Sequence, residues 1–506
     1  SFLQFYIIPF ICRHSMTQAD APHRRIVVIG AGFSGLASAI TLAQQGHDVT
    51  VVEKHSMAGG RARVFEADGY RFDMGPSWYW MPDVIETFFQ SAGTSVSEHF
   101  DLIRLDPSYR VWYADGPVNV PAGLEAVRAL FEEMEPGSSS SFDAFMDEAR
   151  KKYELGMDEY VWKTGHSVTE FTNPMSVVRS FGLSMFGSLS RHVKSFFSSE
   201  RIQQLLEFPV LFLGSRAAQS PALYSLMNHA DITLGTWYPE GGMYELVRAL
   251  QNIATASGVT FQFDTEVLEI VDDGQKVSNV RTSAGAIECD SIIAAADYHF
   301  VEQQLLNPKW RRYSAEYWDS RQMSPGALIY YLGLDTRVPE LEHHNLYFDV
   351  PFNAHADKIY SEPGWPDEPL FYAAVPSKTD DNVAPDGHEN IFILVPLAAG
   401  LADNRKAQDD IWENILDRLS ETSGINIRDH IAYRKEYTHA NFEMDYNAFK
   451  GNAYGLANTL NQTAFLKPKM RSKLAGLFFA GQLTTPGPGV PPSLISGAVA
   501  AREANE

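Results

Sequence analysis

The chain has 506 residues, too many for one core, and its 45% hydrophobic content is enough to build more than one. A net charge of -22 argues against nucleic acid as a partner, because phosphate contacts need Lys and Arg. Two cysteines, Cys12 and Cys289, cannot form a disulfide framework or a Cys-based metal cluster, and they suggest a reducing compartment. No metal-ligand spacing occurs. His343 and His344 are adjacent and read as an ordinary strand or loop pair. No uninterrupted apolar run is long enough for a transmembrane helix. Residues 2–12 are apolar but short and broken by Pro9, with neither a basic start nor a small-residue cleavage site. Residues 1–23 therefore read as an N-terminal extension, with Met16 as an alternative start.

The first element is the apolar run 26–29, followed at once by Gly30-Ala31-Gly32-Phe33-Ser34-Gly35. Gly30 permits the tight turn, Gly32 lets backbone approach a pyrophosphate, and Gly35 lets the next helix pack on the strand. That helix is predicted over 34–45, with free N–H groups at its start for phosphate. A second strand, 48–53, ends in Glu53, whose carboxylate is placed to accept from a ribose and would repel a 2′-phosphate. There is no second glycine fingerprint, so a separate pyridine-nucleotide domain is not expected.

Residues 121–229 have helical periodicity, with Leu124, Val127, Leu130 and Phe131 at helix spacing. Between Ser176 and Arg216 the basic residues Arg179, Arg191, Lys194, Arg201 and Arg216 are set against only two acids, Glu200 and Glu207. Phe181, Leu183, Met185, Phe186, Leu189, Phe196 and Phe197 are interleaved. A basic, aromatic-rich segment in an acidic protein suggests a surface that lies on a bilayer. The turn Pro239-Glu240-Gly241-Gly242-Met243 follows, then a helix over 244–257 and strands over 259–263, 266–271 and 289–296. Further strands are predicted over 328–334, 370–375 and 391–397. The chain closes on an apolar strand, the loop Gly481 to Gly489, and a helix start at Val490.

Gly59-Gly60-Arg61 and Phe72-Asp73-Met74-Gly75-Pro76, behind the complete strand–helix–strand unit, resemble the FAD family of amine oxidases and carotenoid desaturases. That resemblance implies that Gly60 and Arg61 contact the pyrophosphate and ribityl chain and that Gly75 and Pro76 approach the flavin. It also implies that Val267 meets the adenine through its backbone. The C-terminal run Gly481, Thr484, Pro486-Gly487, Gly489-Val490 and Ser496 resembles the bacterial-type phytoene desaturase signature, departing at Gln482 and Leu483. The segment Asn447 to Gly455 strengthens the likeness. Phe33, Ser34, Lys54, Gln482 and Val490 complete the candidate cofactor contacts. Trp78, Tyr79, Trp80 and Tyr238 are candidate substrate-side residues. No catalytic base can be named.

The expected fold is α/β: a Rossmann-like FAD-binding domain (24–120, 230–298 and 441–506) interleaved with a mixed α+β substrate domain (299–440). A helical membrane-associating insert covers 121–229. The expected activity is FAD-dependent desaturation of an apolar polyene, most readily phytoene. The enzyme would be peripheral on the cytoplasmic face of a membrane, with a quinone or O2 as electron acceptor. Other oxidoreductases of the same fold, and a lipid-binding escort related to GDP-dissociation inhibitors, are the alternatives.

Overall fold

The computed structural model describes residues 22–171, 183–185, 187–459 and 461–506. The expectations for the extension 1–23, apart from its last two residues, and for Arg179, Phe181 and Phe186 lie outside them.

β1 (Arg25–Ile29), α1 (Phe33–Gln44) and β2 (Asp48–Val52) form the predicted opening unit. β1 is central in a five-stranded parallel sheet, ordered Leu477–Phe479, Ser291–Ala294, β1, β2, Thr260–Gln262. A central parallel strand is covered on both faces, which is why Ile26, Val27 and Val28 are all apolar and at most 1% exposed. The sheet thus joins the first strand to the last, 450 residues downstream, and brings both glycine-rich turns to one edge. α1 lies on the C-terminal helix Val490–Asn505 through small residues: a Cβ on Gly497 would sit 2.2 Å from the Ser34 carbonyl oxygen. Ser38 Oγ donates to the Gly497 carbonyl across the same contact at 3.0 Å.

A seven-stranded sheet forms the second layer. Its order is Ile431–Tyr437, Gly326–Leu334, Glu389–Leu397, Phe371–Ala374, His344–Tyr347, Tyr109–Tyr113, Gly116–Val120. All pairings are antiparallel except His344–Tyr347 with Tyr109–Tyr113. The two strands between 109 and 120 therefore belong with the substrate sheet and not with the nucleotide domain, where the sequence placed them. Alternation sets its two faces. Leu328, Tyr330, Leu332, Ile391, Ile393 and Val395 pack on the helix Arg405–Ser423. Ala327, Ile329, Tyr372 and Phe392 face the other way, toward the parallel sheet.

Between residues 121 and 229 the described elements are helical, including Leu124–Met134, Ser139–Leu155, Leu189–Lys194 and Glu200–Glu207. Among the described residues of the basic segment, Met185, Leu189 and Phe197 are buried in the core, and Phe196 packs half-buried against Phe145 and His192. These aromatic and aliphatic groups do not form an outward apolar face. Arg201 is ion-paired to Asp115 and lies over the Tyr113 ring, and Arg216 pairs with Asp357 at 2.8 Å. Arg191 and Lys194 are exposed. Among the described residues no helix is long and apolar enough to cross a membrane.

Candidate active site

One cavity of about 390 Å³ opens between the two sheets. Gly30, Gly32, Phe33, Ser34, Glu53, Lys54, Gly60, Arg61, Gly75, Pro76, Val267, Gly481, Gln482, Gly489 and Val490 all line it. They come from five separate stretches of sequence, gathered because the parallel strands end on the same side.

The polar half is shaped by backbone. A Cβ on Gly35 would lie 2.0 Å from the Gly30 carbonyl oxygen, so this glycine sets helix-to-strand packing and does not line the cavity. A Cβ on Gly32 would meet nothing within 4 Å and would project into open space. The first-turn amides of α1 have no acceptor inside the helix, and that turn faces the cavity. Gly75 is as constrained as Gly35: its Cβ would lie 2.4 Å from the Arg61 carbonyl oxygen. The two FAD-type turns are therefore wedged together.

Glu53 is 6% exposed and accepts from the Ala31 amide at 2.8 Å and the His55 amide at 2.9 Å. Those two bonds fix the carboxylate and leave further lone pairs toward the cavity. Arg61 is half-buried, lies over the Tyr446 ring at 4.9 Å, and has one Nη donating to the Asn452 carbonyl at 3.4 Å. Its Nε has no hydrogen-bond partner among the described residues. Burial lowers the guanidinium's pKa from its usual value. A cation with a buried, unsatisfied Nε calls for an anion. An open glycine cradle, a helix start, a fixed carboxylate and an under-satisfied arginine fit the pyrophosphate and ribose of a dinucleotide.

Sequence reasoning missed Asp297, which sits just past the strand Ser291–Ala294 and lines the same cavity. Burial pushes its carboxyl up to about 6. The signal was available: a second parallel strand ends beside the nucleotide strand, and the first polar residue after it is this one. His55, Asp445 and Tyr446 were also missed. Asp445 is held by Arg63 at 2.6 Å and by the Tyr437 hydroxyl at 2.8 Å.

The other half is apolar. Trp78, Trp80, Met227, Ala327, Ile329, Tyr372, Phe392 and Leu394 line it, and no Asp, Glu, Lys or Arg is among them. Trp80 Nε1 donates to Thr236 Oγ1 at 2.8 Å, and Thr236 in turn donates to Asp231 at 3.3 Å. Tyr79 and Tyr238, expected here, do not line the cavity. Tyr79 stands between two cavity-facing tryptophans in an extended segment that bridges to Trp237, so alternation turns it away. Tyr238 lines a small separate cavity with Asp73 and His343, and its hydroxyl donates to Asp380 at 3.3 Å.

The profile of the family described as flavin containing amine oxidoreductase matches residues 33–505. The chain is 40% identical to a carotenoid 3,4-desaturase of Haloarcula japonica, over 95% of this chain and 97% of that one. It is 32% identical to a zeta-carotene-forming phytoene desaturase of Myxococcus xanthus, over 94% and 93%. Among solved structures, an oxidoreductase from Methanosarcina mazei superposes with a TM-score of 0.60 at 18% identity, covering 95% of this chain and all of that one. The fold, the dinucleotide-shaped cavity and these likenesses agree: the chain belongs to the flavin containing amine oxidoreductases, as an FAD-dependent oxidoreductase on their carotenoid desaturase branch.

Proposed function

We propose that this enzyme desaturates a carotenoid chain. The observation that carries the reading is the division of one cavity into a charged, glycine-lined half and a half with no charged side chain. An amine substrate is a cation and needs a counter-charge when taken out of water. A hydrocarbon needs none, and Trp78, Ile329, Phe392 and Leu394 offer it only apolar contact.

Gly32, the start of α1, Glu53, Arg61, Gly75 and Gly481 are the groups that would hold FAD. When bound, FAD supplies an acceptor for a hydride equivalent. The protein's own task is to orient one saturated C–C bond and exclude water. Trp78 and Trp80 are suited to this because both are fixed from behind. Trp78 stacks on His344 at 4.1 Å with planes 8° apart, and Trp80 is hydrogen-bonded to Thr236.

Phytoene is one substrate reading. The other is a carotenoid saturated at its 3,4 bond, favoured by the higher identity to the 3,4-desaturase. The enzyme is proposed to meet either at the cytoplasmic face of a bilayer, with the exposed Arg191 and Lys194 contributing to contact. A quinone or O2 is the proposed final oxidant. The test is expression in two cell lines, one accumulating phytoene and one accumulating a conjugated carotenoid saturated at C3–C4. The reading predicts a red-shifted pigment spectrum in at least one. Unchanged pigment in both, from protein that carries FAD, would remove it.

A further inference from the structure

Removing two hydrogens from neighbouring carbons has two parts. One hydrogen leaves with its electron pair to the oxidant. The other leaves as a proton, and its C–H electrons become the second bond between the carbons. The second part needs a proton acceptor, and the apolar half of the cavity has no carboxylate.

It does have a chain of hydrogen-bonded groups leading out of its wall. Ser77 and Tyr372 both line the cavity, and Ser77 Oγ lies 2.9 Å from the Tyr372 hydroxyl. Tyr372 comes from the strand Phe371–Ala374 and Ser77 from the segment after Gly75-Pro76, so the second sheet and the FAD-type loop meet at this bond. Behind it, the Tyr372 hydroxyl lies 2.6 Å from His344 Nδ1. His344 is 0% exposed and stacked on Trp78, and its Nε2 has no hydrogen-bond partner among the described residues. A histidine serving only to hold Tyr372 gains nothing from a second nitrogen buried and unsatisfied, a feature that costs stability.

We propose that Tyr372, with Ser77 beside it, is the proton acceptor of the desaturation, and that His344 is the positioning residue that receives the proton behind it. This rests on the desaturation reading above. The substrate C–H bond breaks toward the Tyr372 oxygen, or toward the Ser77 oxygen with the Ser77 hydroxyl proton passing to Tyr372. The Tyr372 proton moves to His344 Nδ1, and the freed electron pair forms the double bond. The chain requires the resting hydrogen of His344 to be on Nε2. Burial, together with the adjacent His343, holds the imidazole pKa well below its ordinary value, so the ring rests neutral. For the same reason imidazolium is short-lived there. Its proton returns along the same hydroxyls to water once product has left.

The test uses holoenzyme on carotenoid-loaded liposomes, with Tyr372→Phe, His344→Asn and the double variant. Tyr372→Phe should lower kcat by on the order of 100-fold, the usual contribution of a positioned acid or base. KM should stay within about threefold and FAD content unchanged. His344→Asn keeps a polar atom near the Nδ1 position without a base. It should also lower kcat, and the double variant should be no slower than Tyr372→Phe, because the groups act as one unit. Independently of turnover, nitrogen NMR of 15N-histidine-labelled protein without cofactor should show a neutral His344 with hydrogen on Nε2. Its Nδ1 resonance should move in Tyr372→Phe. A Tyr372→Phe enzyme that keeps pace with wild type overturns the inference alone, as does hydrogen found on Nδ1. A wild type that turns over no carotenoid removes the desaturation reading and this inference with it.

Discussion

The two halves of the cavity are built on different principles. The polar half is shaped by backbone: Gly32 leaves space, while Gly35 and Gly75 remove a Cβ that would lie 2.0 Å and 2.4 Å from carbonyl oxygens. The apolar half is shaped by side chains from a loop segment and from strands more than 200 residues downstream, with Trp78 against Tyr372 and Tyr372 against Phe392. In the first, one added methyl group is decisive and most side chains are free to vary. In the second, no single atom is decisive, but each ring is held by a partner behind it. A glycine change should therefore act in an all-or-none manner, and a wall change by degrees.

The comparison is broken most forcefully at Gly35. Gly35→Ala drives a methyl into the Gly30 carbonyl, and both groups are fixed by secondary structure. It should destabilise the fold by about 3 kcal/mol or more, seen as a lower denaturant midpoint even without FAD. Gly32→Val has no such clash and should leave the cofactor-free protein as stable as wild type. It should instead lose FAD and yellow colour. Losing a ligand held at about 100 times its Kd lowers apparent stability by about 2.7 kcal/mol relative to holoprotein. If Gly32→Val retains stoichiometric FAD, the cradle is not where the cofactor lies.

A smaller effect tests the proposed membrane contact. Because Arg201 is committed to Asp115, only Arg191 and Lys194 of the described basic residues on this helix pair are exposed. Replacing both by Glu should weaken binding to anionic liposomes by about 1 kcal/mol per removed charge, with FAD content unchanged. Equal sedimentation of both proteins with liposomes at low salt would place docking elsewhere.

A further test is a pH slope from the layer behind the apolar half, where Asp231 is reached from Trp80 through Thr236. Burial pushes the Asp231 carboxyl up to about 7, from an ordinary value of 3.8. The folded state then holds a proton that the unfolded state has released, so this group's contribution falls as pH rises from about 4 to 7. The limit is about 1.4 kcal/mol per pH unit for one proton. Asp231→Asn should flatten that part of the stability-against-pH curve for the cofactor-free protein. An unchanged slope would show that Asp231 is ionised where it sits, beside Tyr109 and Thr236.

How much could be read in advance follows the same division. The unit from β1 to Glu53 was legible because it obeys local spacing rules, and its bounds fall within a residue or so of those expected. The strand Gly326–Leu334 was legible as an apolar run, but which of its residues face the cavity was not, because both of its faces are buried. Residues 109–120 were placed with the FAD-binding domain, and their strands were not foreseen, because the partner that claims them, His344–Tyr347, lies over 200 residues away. Tyr79 could have been excluded by alternation between Trp78 and Trp80. The pair Tyr372–His344 could not have been found, since nothing in the spacing of 344 and 372 shows that two antiparallel strands bring them together.

The most direct test of a single cavity serving both FAD and a hydrocarbon is an anaerobic half-reaction. Holoenzyme is mixed with liposomes loaded with phytoene, or with a carotenoid saturated at C3–C4, and the flavin absorbance and carotenoid spectrum are followed together without added acceptor. The account predicts that the flavin bleaches once, with one equivalent of double bond formed per flavin. Colour should then return on adding a benzoquinone or O2 and not NAD⁺. Flavin that stays oxidised with both carotenoids but bleaches with a primary amine would contradict it.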